Sequence, residues 1–186
     1  IVSANNGGQG NAGNIDLKTS GDISISGSTP ESTAPITSKS TVSRINSSTF
    51  GRGNAGNINI STQNSGKLSL SNNAIISTGT ITDAVGNGGD ITIAARELDL
   101  RNKGFITSST FGKGDAGNII IDTQNLGKLS LDQGIISSVI GKKAVGNAGN
   151  ITISALEIDL RNRSLIFSDN VGGKGDAGNI IINAKG

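Results

Sequence analysis

Asp99 and Asp159 are the residues whose type and spacing best suit chemistry in this sequence. They stand in matching frames, Leu98-Asp99-Leu100-Arg101 and Ile158-Asp159-Leu160-Arg161. Two carboxylates held at a fixed separation are the machinery of glycoside hydrolysis, one as acid and the other as base or nucleophile. Little other chemistry is open to the chain. Its 186 residues include no Cys, His, Trp, Tyr or Met. Zero Cys excludes disulfides, thiol catalysis and Cys-based zinc sites. Zero His removes the usual acid–base group at neutral pH and the commonest metal ligand. The absence of Trp and Tyr removes the best stacking platforms for sugars and bases.

The glycines raise two further possibilities. Gly supplies 28 residues, about twice the usual share, and one Gly-rich hexapeptide recurs six times. It reads Gly10-Asn11-Ala12-Gly13-Asn14-Ile15, then Gly53-Asn54-Ala55-Gly56-Asn57-Ile58 and Gly86-Asn87-Gly88-Gly89-Asp90-Ile91. The later copies are Gly114-Asp115-Ala116-Gly117-Asn118-Ile119, Gly146-Asn147-Ala148-Gly149-Asn150-Ile151 and Gly175-Asp176-Ala177-Gly178-Asn179-Ile180. Gly-rich loops cradle anions, but a phosphate loop needs a following helix and usually a Lys; a strand follows here. Gly172-Gly173-Lys174-Gly175-Asp176 invites comparison with calcium-binding nonapeptides, yet its Asp falls one place early and the period is near 30. The hexapeptide is therefore read as structural, and no cofactor or metal is expected. Its glycines, Gly13, Gly56, Gly89, Gly117, Gly149 and Gly178 among them, suit positive-φ positions in a tight corner. The second Asn or Asp of each copy (Asn14, Asn57, Asp90, Asn118, Asn150, Asn179) should stack into a ladder of side-chain amides.

Elements of regular spacing must position these groups. The closing Ile residues recur at steps of 43, 33, 28, 32 and 29, and a longer period near 60 alternates two subtypes. Each unit holds three apolar-x-apolar segments, such as Ile58-Asn59-Ile60, Leu68-Ser69-Leu70 and the stretch around Ile76 with Thr78 two residues on. Period-two alternation with Gly, Asn and Ser punctuation predicts strands. One unit buries too little to offset the entropy of ordering it, so units must stack. The expected fold is all-β: a parallel β-solenoid with three short strands per coil and about five full coils of 28–43 residues. Parallel crossovers favour the right hand. At about 4.8 Å per strand spacing, five coils make a rod about 24 Å long.

Stacking like on like sets the charges in columns. Asp22, Lys67, Glu97, Lys128 and Glu157 alternate in sign, as do Arg101, Asp132 and Arg161 on the same outward face. Ser24, Ser69, Asp99, Ser130 and Asp159 lie between. Opposite charges on neighbouring strands attract and help fix register. Asp99 and Asp159 then stand two coils, about 10 Å, apart. Their basic and serine neighbours give no reason for a raised pKa, so the charge ladder accounts for them and no catalytic residue is assigned. Arg52, Lys113, Lys142, Lys143 and Lys174 form a basic stripe before the hexapeptides, read first as solubility and edge protection. A net charge of +2 is no nucleic-acid footprint, and no apolar run is long enough for a spanning helix.

One segment breaks the pattern. Residues 28–41 add about 14 positions between the second and third strands of the first coil. This Ser/Thr/Pro-rich insertion, with Pro30, Glu31, Pro35 and Lys39, must bulge outward as a candidate contact loop. The chain opens on Ile1-Val2-Ser3, which aligns with the third strand of a coil, and closes in a first strand. It is expected to be a single solenoid segment of a longer repeat protein.

The recurring GNAGNITI-type segment, followed by LxLxN and an Ile-Ser/Thr-Ser stretch, resembles the repeats of filamentous-haemagglutinin-like exoproteins, abundant in large cyanobacterial exoproteins. The resemblance covers essentially the whole chain but not the family's N-terminal secretion domain. It implies a right-handed β-helix, export by two-partner secretion to the cell surface or beyond, and a role in adhesion or surface structure. The leading expectation is a non-enzymatic shaft that presents loops to glycans or proteins. The alternatives are a filament or sheath subunit stacking through open ends, a polysaccharide-active enzyme, and an ice-binding solenoid. The last would need a regular Thr array where Asp16, Asn59, Thr92, Ile120, Thr152 and Ile181 stand.

Overall fold

The computed structural model describes residues 1–27, 42–63, 66–123 and 127–185; the expected loop over 28–41, with Pro30, Glu31, Pro35 and Lys39, lies outside the described residues. Among the described residues seventeen strands follow one another, with no helix. Every third strand belongs to the same sheet, and all pairings are parallel. The first sheet holds β1 (Val2–Asn5), β4 (Arg44–Thr49), β7 (Ile75–Thr80), β10 (Phe105–Thr110), β13 (Ile135–Ile140) and β16 (Leu165–Asn170). The second holds β2 (Ile15–Lys18), β5 (Ile58–Ser61), β8 (Ile91–Ala94), β11 (Ile119–Asp122), β14 (Ile151–Ala155) and β17 (Ile180–Ala184). The third holds β3 (Ile23–Ser26), β6 (Lys67–Ser71), β9 (Glu97–Arg101), β12 (Lys128–Asp132) and β15 (Glu157–Arg161). The result is a three-sided β-solenoid of about five turns.

Alternation puts one face of each strand inside. Ile58, Leu68, Ile76 and Ile106 have no solvent exposure, and the core cluster consists of Ile, Leu and Ala. Identical positions stack: Ile45, Ile76, Ile106, Ile136 and Ile166 lie in register, as do Ser47, Thr78, Ser108, Ser138 and Ser168. Between the third and first sheets the chain turns through left-handed residues, Asn72 and Asn73 in one coil, Asn102 and Lys103 in the next. Asn tolerates that conformation better than most residues, which explains the LxLxN pattern.

The hexapeptide forms the corner that leads into the second sheet, and in its fourth copy all six N–H groups are bonded. In the fourth copy, Gly114, Ala116 and Ile119 donate forward to the carbonyls of Val145, Asn147 and Asn150 at 2.8–2.9 Å. Asp115 and Asn118 donate back to the side-chain Oδ1 atoms of Asn87 and Asp90, at 3.0 and 2.7 Å. Gly117 donates to the Ser108 hydroxyl at 2.8 Å. No backbone donor of this copy is left unpaired, as a partly buried corner requires.

Two sequence expectations are corrected here. The rungs at Asn14, Asn57, Asp90, Asn118, Asn150 and Asn179 are chiefly backbone N–H groups donating to the preceding coil's side-chain oxygen. Amide-to-side-chain rungs occur at Asn118 and Asn179, both at 3.3 Å. The reason is that each Asn or Asp N–H at the corner has no facing carbonyl, so the side chain supplies the acceptor. The second glycines also have a different basis. Positive φ belongs to the first glycine of each copy, +135° at Gly114. Gly56, Gly89, Gly117, Gly149 and Gly178 are required by close approach, because a Cβ there would overlap the carbonyl oxygen of Gly13, Gly56, Gly89, Gly117 and Gly149 respectively. Gly13 faces the Ser3 hydroxyl instead.

Candidate functional site

Three surface features gather groups with chemical character. The first is the outward face of the third sheet. Register places Lys67 opposite Glu97, Glu97 opposite Lys128 and Lys128 opposite Glu157. Lys67 Nζ lies 2.6 Å from Glu97 Oε1 and 2.9 Å from Asp99 Oδ2, while Arg101 pairs with the same Asp99 carboxylate. One superperiod on, Lys128 Nζ lies 2.6 Å from Glu157 and 3.5 Å from Asp159, and Arg161 is 2.6 Å from Asp159. Lys128 turns towards Glu157, so the alternating column resolves into two clusters. Asp22 accepts the Lys67 backbone N–H at 2.8 Å.

The column of Arg101, Asp132 and Arg161 exists in the register but not as ion pairs. Both arginines fold back onto the Asp two residues earlier on their own strand, and Asp132 accepts the Asn162 amide at 2.8 Å. The Asp99 side chain is 6% exposed. A carboxylate so far from water needs compensating donors more than Asp132 does, and Lys67 and Arg101 provide them.

The electrostatics follow from this pairing. The hydrogen-bonded Arg161 guanidinium holds the Asp159 carboxyl below its usual pKa, against partial desolvation, with Lys128 adding to the effect. The Arg161 pKa is raised in turn by Asp159. Burial alone would lower the Lys67 pKa, but its bonds to Glu97 and Asp99 outweigh that and raise it. Lys128 is raised chiefly by Glu157. A general acid needs a raised carboxyl pKa; Asp159 is shifted the other way.

The second feature is a groove of about 470 Å³ along the hexapeptide corner, lined by Asn54, Asn57, Asn87, Asp90, Asp115 and Asn118 among others. It contains two parallel ladders. The sequence reading identified the second Asn or Asp of each copy and missed the first. Asn11, Asn54, Asn87, Asp115 and Asn147 each accept the backbone N–H of the next copy's equivalent at 2.7–3.0 Å. The signal was present, since every copy has Asn or Asp there. Also missed was the Ser column of the first sheet. Ser47, Ser108, Ser138 and Ser168 each accept the second glycine's N–H and donate to the carbonyl of the preceding copy's second glycine.

The third feature is the outer side of the first sheet and its margin. All four Phe residues lie there and none is in the core. Phe50, Ile81, Phe111, Gly141 and Val171 occupy successive levels of one column, each N–H bonded to the coil before. Phe50 is 45% and Phe111 46% exposed. Beside them the bridge column Arg52, Val85, Lys113, Val145 and Lys174 alternates basic and apolar residues. Lys142 and Lys143 lie in an adjoining turn, so the basic stripe read from sequence borders an apolar one. The four Phe positions were visible in the sequence, but their shared face needed the register.

Among the described residues no helix is long and apolar enough to cross a membrane, and no acidic group cluster suits a metal ion. No family model, no curated protein and no solved structure matches the chain.

Proposed function

We propose that this chain is a non-enzymatic repeat module of a secreted, cell-surface exoprotein of the filamentous-haemagglutinin-like type, acting as a stiff shaft that presents adhesive loops. The observation that carries the reading is the continuity of the ladder system. From Asn14 to Asn179 every level is tied to the next through strand pairing and Asn/Asp rungs, with Ser–Gly bridges at Ser47, Ser108, Ser138 and Ser168. Such a rod transmits position and suits a spacer. The ion-paired state of Asp99 and Asp159 supports a structural part for the carboxylates.

The test is retention of labelled protein on cells and immobilised glycans, with and without residues 28–41. Retention lost on deletion, with strand content unchanged by circular dichroism, supports presentation by that loop. Release of reducing sugar or unsaturated product from acidic polysaccharides, abolished by Asp99→Asn, would overturn the non-enzymatic reading. A second reading, a filament subunit, draws on the like-on-like register of successive coils, with Leu131 opposite Leu160 and Ile151 opposite Ile180. Filaments of uniform width, seen by negative stain and also formed by a longer segment, would favour it.

A further inference from the structure

We propose that the Phe-bearing side of the rod docks onto an anionic lipid surface. The chain has four aromatic residues, and an apolar core would be the ordinary place for them. Here all four stand on one outer side, where Phe50, Ile81, Phe111 and Val171 make an exposed row along the axis. An exposed apolar row on a soluble fold marks a contact surface. The adjoining column sets Arg52, Lys113 and Lys174 at every second level, about 10 Å apart by strand spacing. Asp83, Asp115, Asp169 and Asp176 stand near these residues in the chain, and against Arg52, Lys113, Lys142, Lys143 and Lys174 the balance stays positive.

Two observations favour lipid over other anionic partners. The protruding groups are as much aliphatic as aromatic, and Ile81, Val85, Val145 and Val171 enter acyl chains but do not stack on sugars. Along the row, a notch of about 170 Å³ lies beside Gly79, Ile81 and Phe111. Protein partners anchor through deep pockets, whereas a row of protruding apolar side chains flanked by cations is the arrangement of surface-lying membrane binders.

The experiment is flotation of the chain with vesicles of phosphatidylcholine alone and of phosphatidylcholine with phosphatidylglycerol, at low and high salt. Two double variants accompany it, Phe50→Ser/Phe111→Ser and Arg52→Glu/Lys113→Glu, each checked by circular dichroism. The expected result is binding to the anionic vesicles only, weakened by salt, and about tenfold weaker in each folded variant. Absence of binding to anionic vesicles overturns the proposal, as does binding by both folded variants undiminished from that of the unsubstituted chain. A concentration-dependent dimer without vesicle binding, removed by Phe50→Ser/Phe111→Ser, assigns the row to a second copy and overturns it too. Binding to alginate but not to vesicles does the same.

Discussion

The Ser108 hydroxyl and the Gly117 N–H, nine residues apart, meet at 2.8 Å inside the solenoid, and the same hydroxyl donates to the Gly89 carbonyl at 3.1 Å. One buried oxygen thereby joins two coils at the point where the backbone ladder lacks a partner. The same bridge recurs at Ser47, Ser138 and Ser168. Thr78 differs: it donates to Gly89 of its own coil at 2.5 Å.

Ser108→Ala leaves a buried donor unpaired and weakens the solvation of an acceptor. The expected loss is roughly 1–3 kcal/mol in urea unfolding. Ser69→Ala, on the outward face of β6, should change stability by no more than about 0.5 kcal/mol. Equal effects would contradict the bridge.

Gly117 and Gly21 separate close approach from conformational freedom. Neither has a positive φ. A methyl at Gly117 meets the Gly89 carbonyl, while one at Gly21 has only the Thr19 hydroxyl at 3.8 Å. Gly117→Ala should cost at least the roughly 1–3 kcal/mol typical of overpacking, and Gly117→Val more; Gly21→Ala should be tolerated. Thermal unfolding followed by circular dichroism decides it.

The charge clusters set limits of pH at both ends. The folded Asp159 pKa is lowered, so its contribution is present above the unfolded carboxyl pKa and is lost as pH falls through the folded value, below about 4. Lys67 and Lys128 are raised, so theirs is full below the unfolded lysine pKa and is lost as pH rises through the folded value, above about 10.5. Urea midpoints should form a plateau between these limits, and Asp159→Asn should soften the acid limb. An unchanged acid limb would show that the Arg161–Asp159 bond contributes nothing.

Two Asn-Gly pairs should age differently. Deamidation requires the glycine nitrogen to attack the Asn side-chain carbon, expelling ammonia, before water opens the cyclic imide. At Asn87-Gly88 both partners are held: the Gly88 N–H donates to the Asp115 carbonyl at 2.7 Å, and Asn87 Oδ1 accepts the Asp115 N–H at 3.0 Å. Asn6-Gly7 is exposed and its Asn side chain has no partner among the described residues. Peptide mass spectrometry after incubation should find Asp and isoaspartate at Asn6, and at Asn87 only when urea is present.

The sequence by itself determined the strands, the three-sided stacking and the register. Ile and Leu at every second position leave one way to bury the same face in every coil, and the hexapeptide marks each corner independently of loop length. The columns through Lys67, Glu97 and Lys128 follow from that register alone. The tertiary structure decided which partner each polar atom takes. Arg101 lies equally near two acids in register terms, and burial of Asp99 directs it along its own strand. Gly117 looks like a turn residue, yet the neighbouring coil's carbonyl is what excludes a side chain there. Phe50 and Phe111 stand 61 residues apart in the chain, and only the closing of two coils sets them in one exposed row beside Arg52 and Lys113. Periodicity specifies backbone pairing because every coil repeats it; side-chain partners depend on local distance and desolvation, which exist only once the coils are stacked.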